Sequence, residues 1–145
     1  MALHVALMEP NDHAQALDVA RFCAERDLPL HLVGPIGEDV ETESLEHASS
    51  EGRTVDLWVH SNWFEFRDAV ARERCFYFGR GARHDARKAR LPSNGVLVFS
   101  GSTAGLPDRI LAKHPARCYR LPGGLGEGLG PIVTGVFTAL ETVRG

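Results

Sequence analysis

Little in this chain could be tied together covalently or through a metal. Its three cysteines, Cys23, Cys75 and Cys118, are an odd number, lie far apart and form no CxxC pair. Neither a disulfide framework nor a zinc site is expected from them, and buried free thiols are. The seven histidines include no HxxxH pair on a predicted helix, so no metal is expected. No apolar run approaches the ~20 residues of a membrane span. Met1–Pro10 has neither the basic region nor the cleavage site of a secretory leader, and a cytoplasmic protein without membrane contact is expected. A GK[ST] triplet, an internal repeat and a low-complexity tract are all missing, which removes the P-loop nucleotide enzymes and repeat architectures.

What remains suits one globular domain spanning residues 1–145. A chain of this length buries about two-thirds of its unfolded surface, and 43 % apolar with 24 % charged residues excludes disorder. Leu3–Met8 is a short apolar run stopped by Glu9-Pro10 and predicts a buried strand. Asn11 and Asp12 offer N-caps for a helix over 12–27, where Leu17, Ala20 and Ala24 form one stripe and Ala16, Val19 and Cys23 another. A helix apolar over that much of its surface needs cover on two sides, one of which could be a second subunit. Further strands are predicted at Leu30–Val33, Val55–Val59, Cys75–Phe78, Val96–Phe99 and Arg117–Leu121. Asn62 with Glu65 three residues on starts a helix to about Arg72. Pro107 suits the first turn of a helix to about Lys113, and Pro131 that of a final helix facing Ile132, Val136, Ala139 and Val143 inward. The acidic stretch Glu38–Glu51 is expected to be a loop with a short helix. Strands alternating with helices argue for an α/β fold, a mostly parallel sheet with helices on both faces.

Charge is segregated along the chain. Residues 1–60 hold twelve acids against three arginines, a balance of −9; residues 61–145 hold thirteen basic groups against seven acids, +6, and the two sum to the net −3. Five of the basic groups are Arg80, Arg83, Arg87, Lys88 and Arg90. Phosphate neutralisation dominates nucleic-acid affinity, so RNA would sit on this cluster; a solvated charged face gives the same composition.

Three connections after the later strands are rich in small residues: Gly79-Arg80-Gly81, Ser100-Gly101-Ser102-Thr103-Ala104-Gly105, and Gly123 through Gly130. Ligands of open α/β sheets bind at the carboxyl ends of strands, where glycine lets a ligand approach the backbone. One composite small-molecule pocket is therefore expected. The run Gly124–Gly130 precedes a helix as a dinucleotide motif does, but no strand or ribose-binding acid follows it, and a plain glycine-rich connection is the alternative. Ser102 lacks the GxSxG spacing of a nucleophile elbow, although His31 and His60 near strand ends keep a small hydrolase in view.

The order of segments resembles a known family. Glu9-Pro10, then Arg21-Phe22-Cys23-Ala24, then Leu30-His31-Leu32-Val33-Gly34-Pro35-Ile36-Gly37 is similar to the opening of the bacterial tRNA wobble-nucleotide 2′-O-methyltransferases. Phe99 with Gly105-Leu106-Pro107 and Ile110-Leu111, Arg120-Leu121-Pro122 and Arg80-Gly81 match its later motifs. The resemblance implies a SPOUT fold with a C-terminal trefoil knot, a homodimer paired through the first and last helices, and S-adenosylmethionine held in the knot loops. It implies a methyl-donor site at Tyr77, Phe78, Gly79, Ser100, Gly101, Gly105, Leu121, Pro122, Gly126, Leu129 and Gly130. It marks Arg21 as the residue that helps activate the ribose hydroxyl, and RNA, tRNA above all, as the partner.

Several motif positions depart from that pattern. Gln15, Leu17 and Asp18 stand where the family has Asn, Gly and Asn; Ser102 and Ala104 stand where it has Glu and Arg; Gly126, Gly128 and Gly130 stand where it has Ser, Asn and Ser. A divergent S-adenosylmethionine-dependent RNA ribose methyltransferase is expected. The alternative is a non-catalytic relative that binds RNA or the cofactor without transferring methyl.

Overall fold

The computed structural model describes residues 3–49, 51–70, 72–100, 106–121 and 129–144, in backbone alone at 72, 129, 139 and 141–144. Its strands are β1 (His4–Met8), β2 (Leu30–Val33), β3 (Leu57–His60), β4 (Cys75–Phe78), β5 (His84–Asp85), β6 (Val96–Ser100) and β7 (Cys118–Arg120). They form one sheet in the order β3-β2-β1-β6-β4-β7-β5, every pair parallel. The central strands β1, β2, β4 and β6 are near-continuous apolar runs because both faces of a parallel sheet are covered.

Five helices do the covering: α1 (His13–Arg26), α2 (Thr42–Glu46), α3 (Trp63–Ala69), α4 (Asp108–Lys113) and α5 (Leu129–Arg144). Val5, Leu7, Leu30, Leu32, Phe78, Leu97 and Phe99 point to the face packed by α1, α2 and α5. Ala6, Met8, Val33, Cys75, Tyr77, Val96 and Val98 point to the face packed by Phe66 of α3 and Ile110 of α4. The expected α/β architecture with helices on both faces is present. The segments that would thread the trefoil knot, 101–105 and 122–128, lie outside the described residues. Among the described residues, no helix is long and apolar enough to cross a membrane.

Capping follows the sequence. The Asp12 carboxylate accepts from the Gln15 N–H at 3.1 Å, and Asp27 closes α1 in the left-handed conformation at φ 55°. The Asn62 side chain accepts from the Glu65 N–H at 2.9 Å, and Glu65 reaches back to the Ser61 N–H at 3.0 Å, one residue before the expected partner. All three thiols are free and buried, and burial pushes Cys23 up to about 12 and Cys75 and Cys118 up to about 11, so none is an activated nucleophile.

Two helical expectations change. Ala16, Val19, Ala20, Cys23 and Ala24 are all buried within the single chain. They fall at i, i+3, i+4, i+7 and i+8, so the two stripes of α1 are one broad face, with Leu17 at its rim. The cover comes from the sheet and α5, and the burial on α1 does not require a second subunit. Among the described side chains of α5 the buried positions are Val133, Val136, Phe137 and Leu140, with Ile132 only partly buried; the side chains of Ala139 and Val143 lie outside the described residues. This helix is apolar around most of its surface, so periodicity left its phase open; the contact of Phe137 with Phe22, 5.3 Å between ring centroids, sets it.

Candidate functional site

The strand order brings two of the three small-residue connections out side by side and starts the third next to them. β4 lies between β6 and β7, with Phe78 opposite Phe99 on one side and Tyr119 on the other. Gly79, Ser100 and Leu121 therefore leave the sheet from adjacent carboxyl ends, where α/β sheets bind ligands. The Gly79 N–H donates to the Tyr119 carbonyl at 3.0 Å, and the Leu106 N–H donates to the Arg80 carbonyl at 3.5 Å, tying the loop after β4 to β7 itself and to the end of the connection after β6. A Cβ on Gly79 would lie 2.8 Å from Leu106 Cγ, so glycine is what lets the two loops close on each other.

The individual residues divide. The resemblance places both Tyr77 and Phe78 at the donor site, yet neighbouring strand residues point to opposite faces. Tyr77 packs between Trp63 and His114 at ring separations of 6.0 and 5.6 Å, and burial raises its hydroxyl well above the ordinary phenol range. Phe78 stacks between Phe99 and Tyr119, each at 5.6 Å, as a core side chain. Leu121 is half-buried against the same core, and Ser100 is partly exposed at the strand end. Gly101, Gly105, Pro122 and Gly126 lie outside the described residues, as does Ser102, and of Leu129 only its place at the start of α5 is described. Gly130 is tied to α1: a Cβ there would come within 2.9 Å of Asp18 Cβ.

That contact joins the start of α5 to the helix carrying Arg21. The Arg21 Nε donates to the Ala48 carbonyl at 3.3 Å, and its Nη1 lies 3.9 Å from Asp18, with the arginine side chain 45 % exposed. Arg21, Asp18 and Gly130 are thus contiguous, and the third glycine-rich connection enters beside them. The exposed guanidinium has donors to spare.

All five residues of the basic cluster are exposed, around the edge strand β5 and a 3-10 turn at Ala86–Lys88. Within it Arg87 is forked on Asp85 at 3.2 and 3.0 Å, and Arg120 adds a contact at 3.5 Å. Hydrogen bonds from Arg87 hold the Asp85 carboxyl far below the usual carboxylate range. Arg87 is locally neutralised, while Arg80, Arg83, Lys88 and Arg90 are in no ion pair among the described residues. The acid at 85 inside the basic run is the signal that would have separated Arg87 from the rest.

His31 and His60 serve no hydrolase. They belong with His4 to a chain of imidazoles across β1, β2 and β3: His4 Nδ1 to His31 Nε2 is 2.9 Å, and His31 Nδ1 to His60 Nε2 is 3.0 Å. The rings stack at 5.1 and 5.2 Å, with Phe66 edge-on to His31 and His60. Among the described residues no group of acids, histidines and cysteines is arranged to hold a metal. Burial first, then the charge of its two neighbours, pushes His31 down to about 3, and burial also lowers His4 and His60. Because the folded pKa of His31 lies below the unfolded 6.5, the unfolded chain takes up its proton first. Stability is then complete above about pH 6.5 and falls as the pH drops toward 3, by about 1.4 kcal/mol per pH unit for each proton withheld. Urea midpoints measured from pH 7.5 to 5 should decline, and His31→Gln should flatten the slope; an identical slope in the variant would contradict the assignment.

Comparison with known proteins follows the same lines. No protein-family model matches the chain. It is 30 % identical over 122 residues to the tRNA (cytidine(34)-2′-O)-methyltransferase of Methylovorus glucosotrophus, covering 81 % of this chain and 78 % of the relative. A solved structure concerned with 2-OH methylation of C/U34 on tRNA superposes with a TM-score of 0.77 at 27 % identity, covering 99 % of this chain and 92 % of the other. The SpoU methyltransferase AviRb of Streptomyces viridochromogenes, solved with the cofactor AdoMet, superposes with a TM-score of 0.74 at 12 % identity, covering 99 % of this chain and 58 % of that one.

Proposed function

The chain belongs to the SPOUT family of RNA 2′-O-methyltransferases, and on that premise we propose that it methylates the ribose 2′-hydroxyl of a tRNA anticodon-loop nucleotide with S-adenosylmethionine. The observation carrying the reading is the adjacency of the β6, β4 and β7 carboxyl ends, with Leu106 closed onto Gly79 beside them. An adenosine-bearing ligand suits the half-buried apolar side chain of Leu121 at that edge, since adenine is held by apolar walls and backbone groups with no charged side chain needed. Gly79, Ser100, Leu121 and the connections after them would hold the cofactor, which when bound supplies a methyl group on a sulfonium.

This chain's residues then position the acceptor. Arg21 has only hydrogen-bond donors, so it steadies the ribose oxygen as negative charge develops on it, and the proton passes to solvent. Ala48 and Asp18 aim the guanidinium. Arg80, Arg83, Lys88 and Arg90 hold tRNA phosphates, with Arg87 contributing less because Asp85 already neutralises it. The resemblance supports a trefoil knot threaded by the C-terminal segment and a homodimer through α1 and α5, on which Leu17, Phe22 and Ile132 stay partly exposed.

The second reading, binding without transfer, is favoured by one observation: Asp18, standing where the family has Asn, is near enough to Arg21 to compete with a substrate oxygen. The transfer reading requires the cofactor, and the binding reading requires it unless RNA alone is bound. Calorimetric titration should give a dissociation constant in the micromolar range for S-adenosylmethionine and S-adenosylhomocysteine and no heat for ATP. The reverse pattern would remove the methyl-donor site.

A further inference from the structure

We propose that a cleft between α3 and α4 is a subsite for an unpaired nucleotide of the RNA substrate, its base on Phe64 and its phosphate between Arg67 and Lys113. The proposal rests on the RNA-methylating reading above and adds where the strand runs. The cleft measures about 570 Å³, a size that suits organic groups of nucleotide dimensions. It opens where β1, β2 and β3 end, next to β6 in the sheet, so it continues the carboxyl edge that carries the donor loops.

Its lining has the two features by which proteins hold single strands, an aromatic platform and cations. Phe64 is 70 % exposed and no ring packs on it among the described residues. Beside it, Trp63 is braced by Phe66 and Tyr77 at 5.3 and 6.0 Å. Three cations, Arg67, Arg109 and Lys113, face one carboxylate, Glu9. Glu9 pairs with Arg109 at 3.8 Å, which leaves Arg67 and Lys113 in no ion pair among the described residues. Glu9 itself sits at φ 51°, a backbone conformation uncommon outside glycine, and its N–H donates to the Val33 carbonyl at 2.7 Å. The one acid in the cleft is thus paired with Arg109, and the two other cations remain for an anion.

Phosphate chemistry alone would also suit a duplex, but a base reaches a ring platform only when unstacked, as in an RNA loop. α4 is the shared wall: Leu106, just before it, meets Gly79 of the donor site, and Arg109 and Lys113 line the cleft. A strand laid along this edge would present one ribose to the donor and a neighbouring base to Phe64.

The test uses the full chain, a labelled single-stranded oligoribonucleotide, bulk tRNA and a duplex RNA. Phe64→Ala should weaken the single strand and tRNA about tenfold, within what one base–aromatic stack contributes, and leave the duplex unchanged. Arg67→Ala with Lys113→Ala should reduce the salt slope for the single strand by about 0.7, the loss of one neutralised phosphate. Phe64 is exposed, so thermal melting should not move. Equal weakening toward the duplex would overturn the subsite, as would unchanged single-strand affinity in both variants. If those variants bind tRNA as the parent does while the parent takes up S-adenosylmethionine, only the subsite fails. A parent chain that binds neither RNA nor cofactor overturns the subsite together with the function it rests on.

Discussion

Arg21→Ala should leave S-adenosylmethionine affinity unchanged and lower methyl transfer about 10²–10³-fold, the cost of removing one preorganised donor from a developing oxyanion. The side chain is 45 % exposed and, among the described residues, tied only to the Ala48 carbonyl and to Asp18. Exposed ties of this kind contribute up to about 1 kcal/mol, so the variant should melt close to the parent. Arg21→Lys keeps a charge but loses the planar fork, and recovers part of the rate. Single-turnover transfer to tRNA beside cofactor titration separates the effects. Unchanged turnover in Arg21→Ala would reduce the residue to a tie between α1 and the segment after α2, and would favour the binding-only reading.

Leucine at 126 and at 130 should fail in different ways, although both glycines belong to one run. At Gly130 an added Cβ lies 2.9 Å from Asp18 Cβ, so a larger side chain forces α5 away from α1. Overpacking of that kind costs about 1–3 kcal/mol, and the urea midpoint should fall. Gly126→Leu should abolish the calorimetric signal for S-adenosylmethionine with a stability change within about 0.5 kcal/mol, because the proposed donor site uses glycine there for close approach of ligand to backbone. Should Gly126→Leu titrate like the parent, the third connection does not belong to the donor site.

The strands were the most legible part of the fold. In a parallel sheet covered on both sides each strand is a continuous apolar run, and His4–Met8, Leu30–Val33, Cys75–Phe78 and Val96–Ser100 stand out as such. Their order was not legible, since which run pairs with which depends on crossovers rather than on local pattern. The glycine-rich loops pointed to the proposed site without saying which side chains enter it. Period-two alternation should have separated Tyr77 from Phe78, and only the sheet faces did so. The role of Gly130 needed the α1–α5 contact. Arg67, Arg109 and Lys113 gave no signal at all: they are scattered through the chain, and it is the fold that gathers them.

The central claim is transfer of a methyl group from S-adenosylmethionine to a ribose 2′-oxygen. Incubating the parent chain with methyl-labelled S-adenosylmethionine and unmodified bulk tRNA, followed by digestion to nucleosides, tests it directly. The account predicts label in a 2′-O-methylated nucleoside, absent with Arg21→Ala. Label confined to a methylated base, or cofactor binding with no label in the RNA at any enzyme concentration, would contradict it.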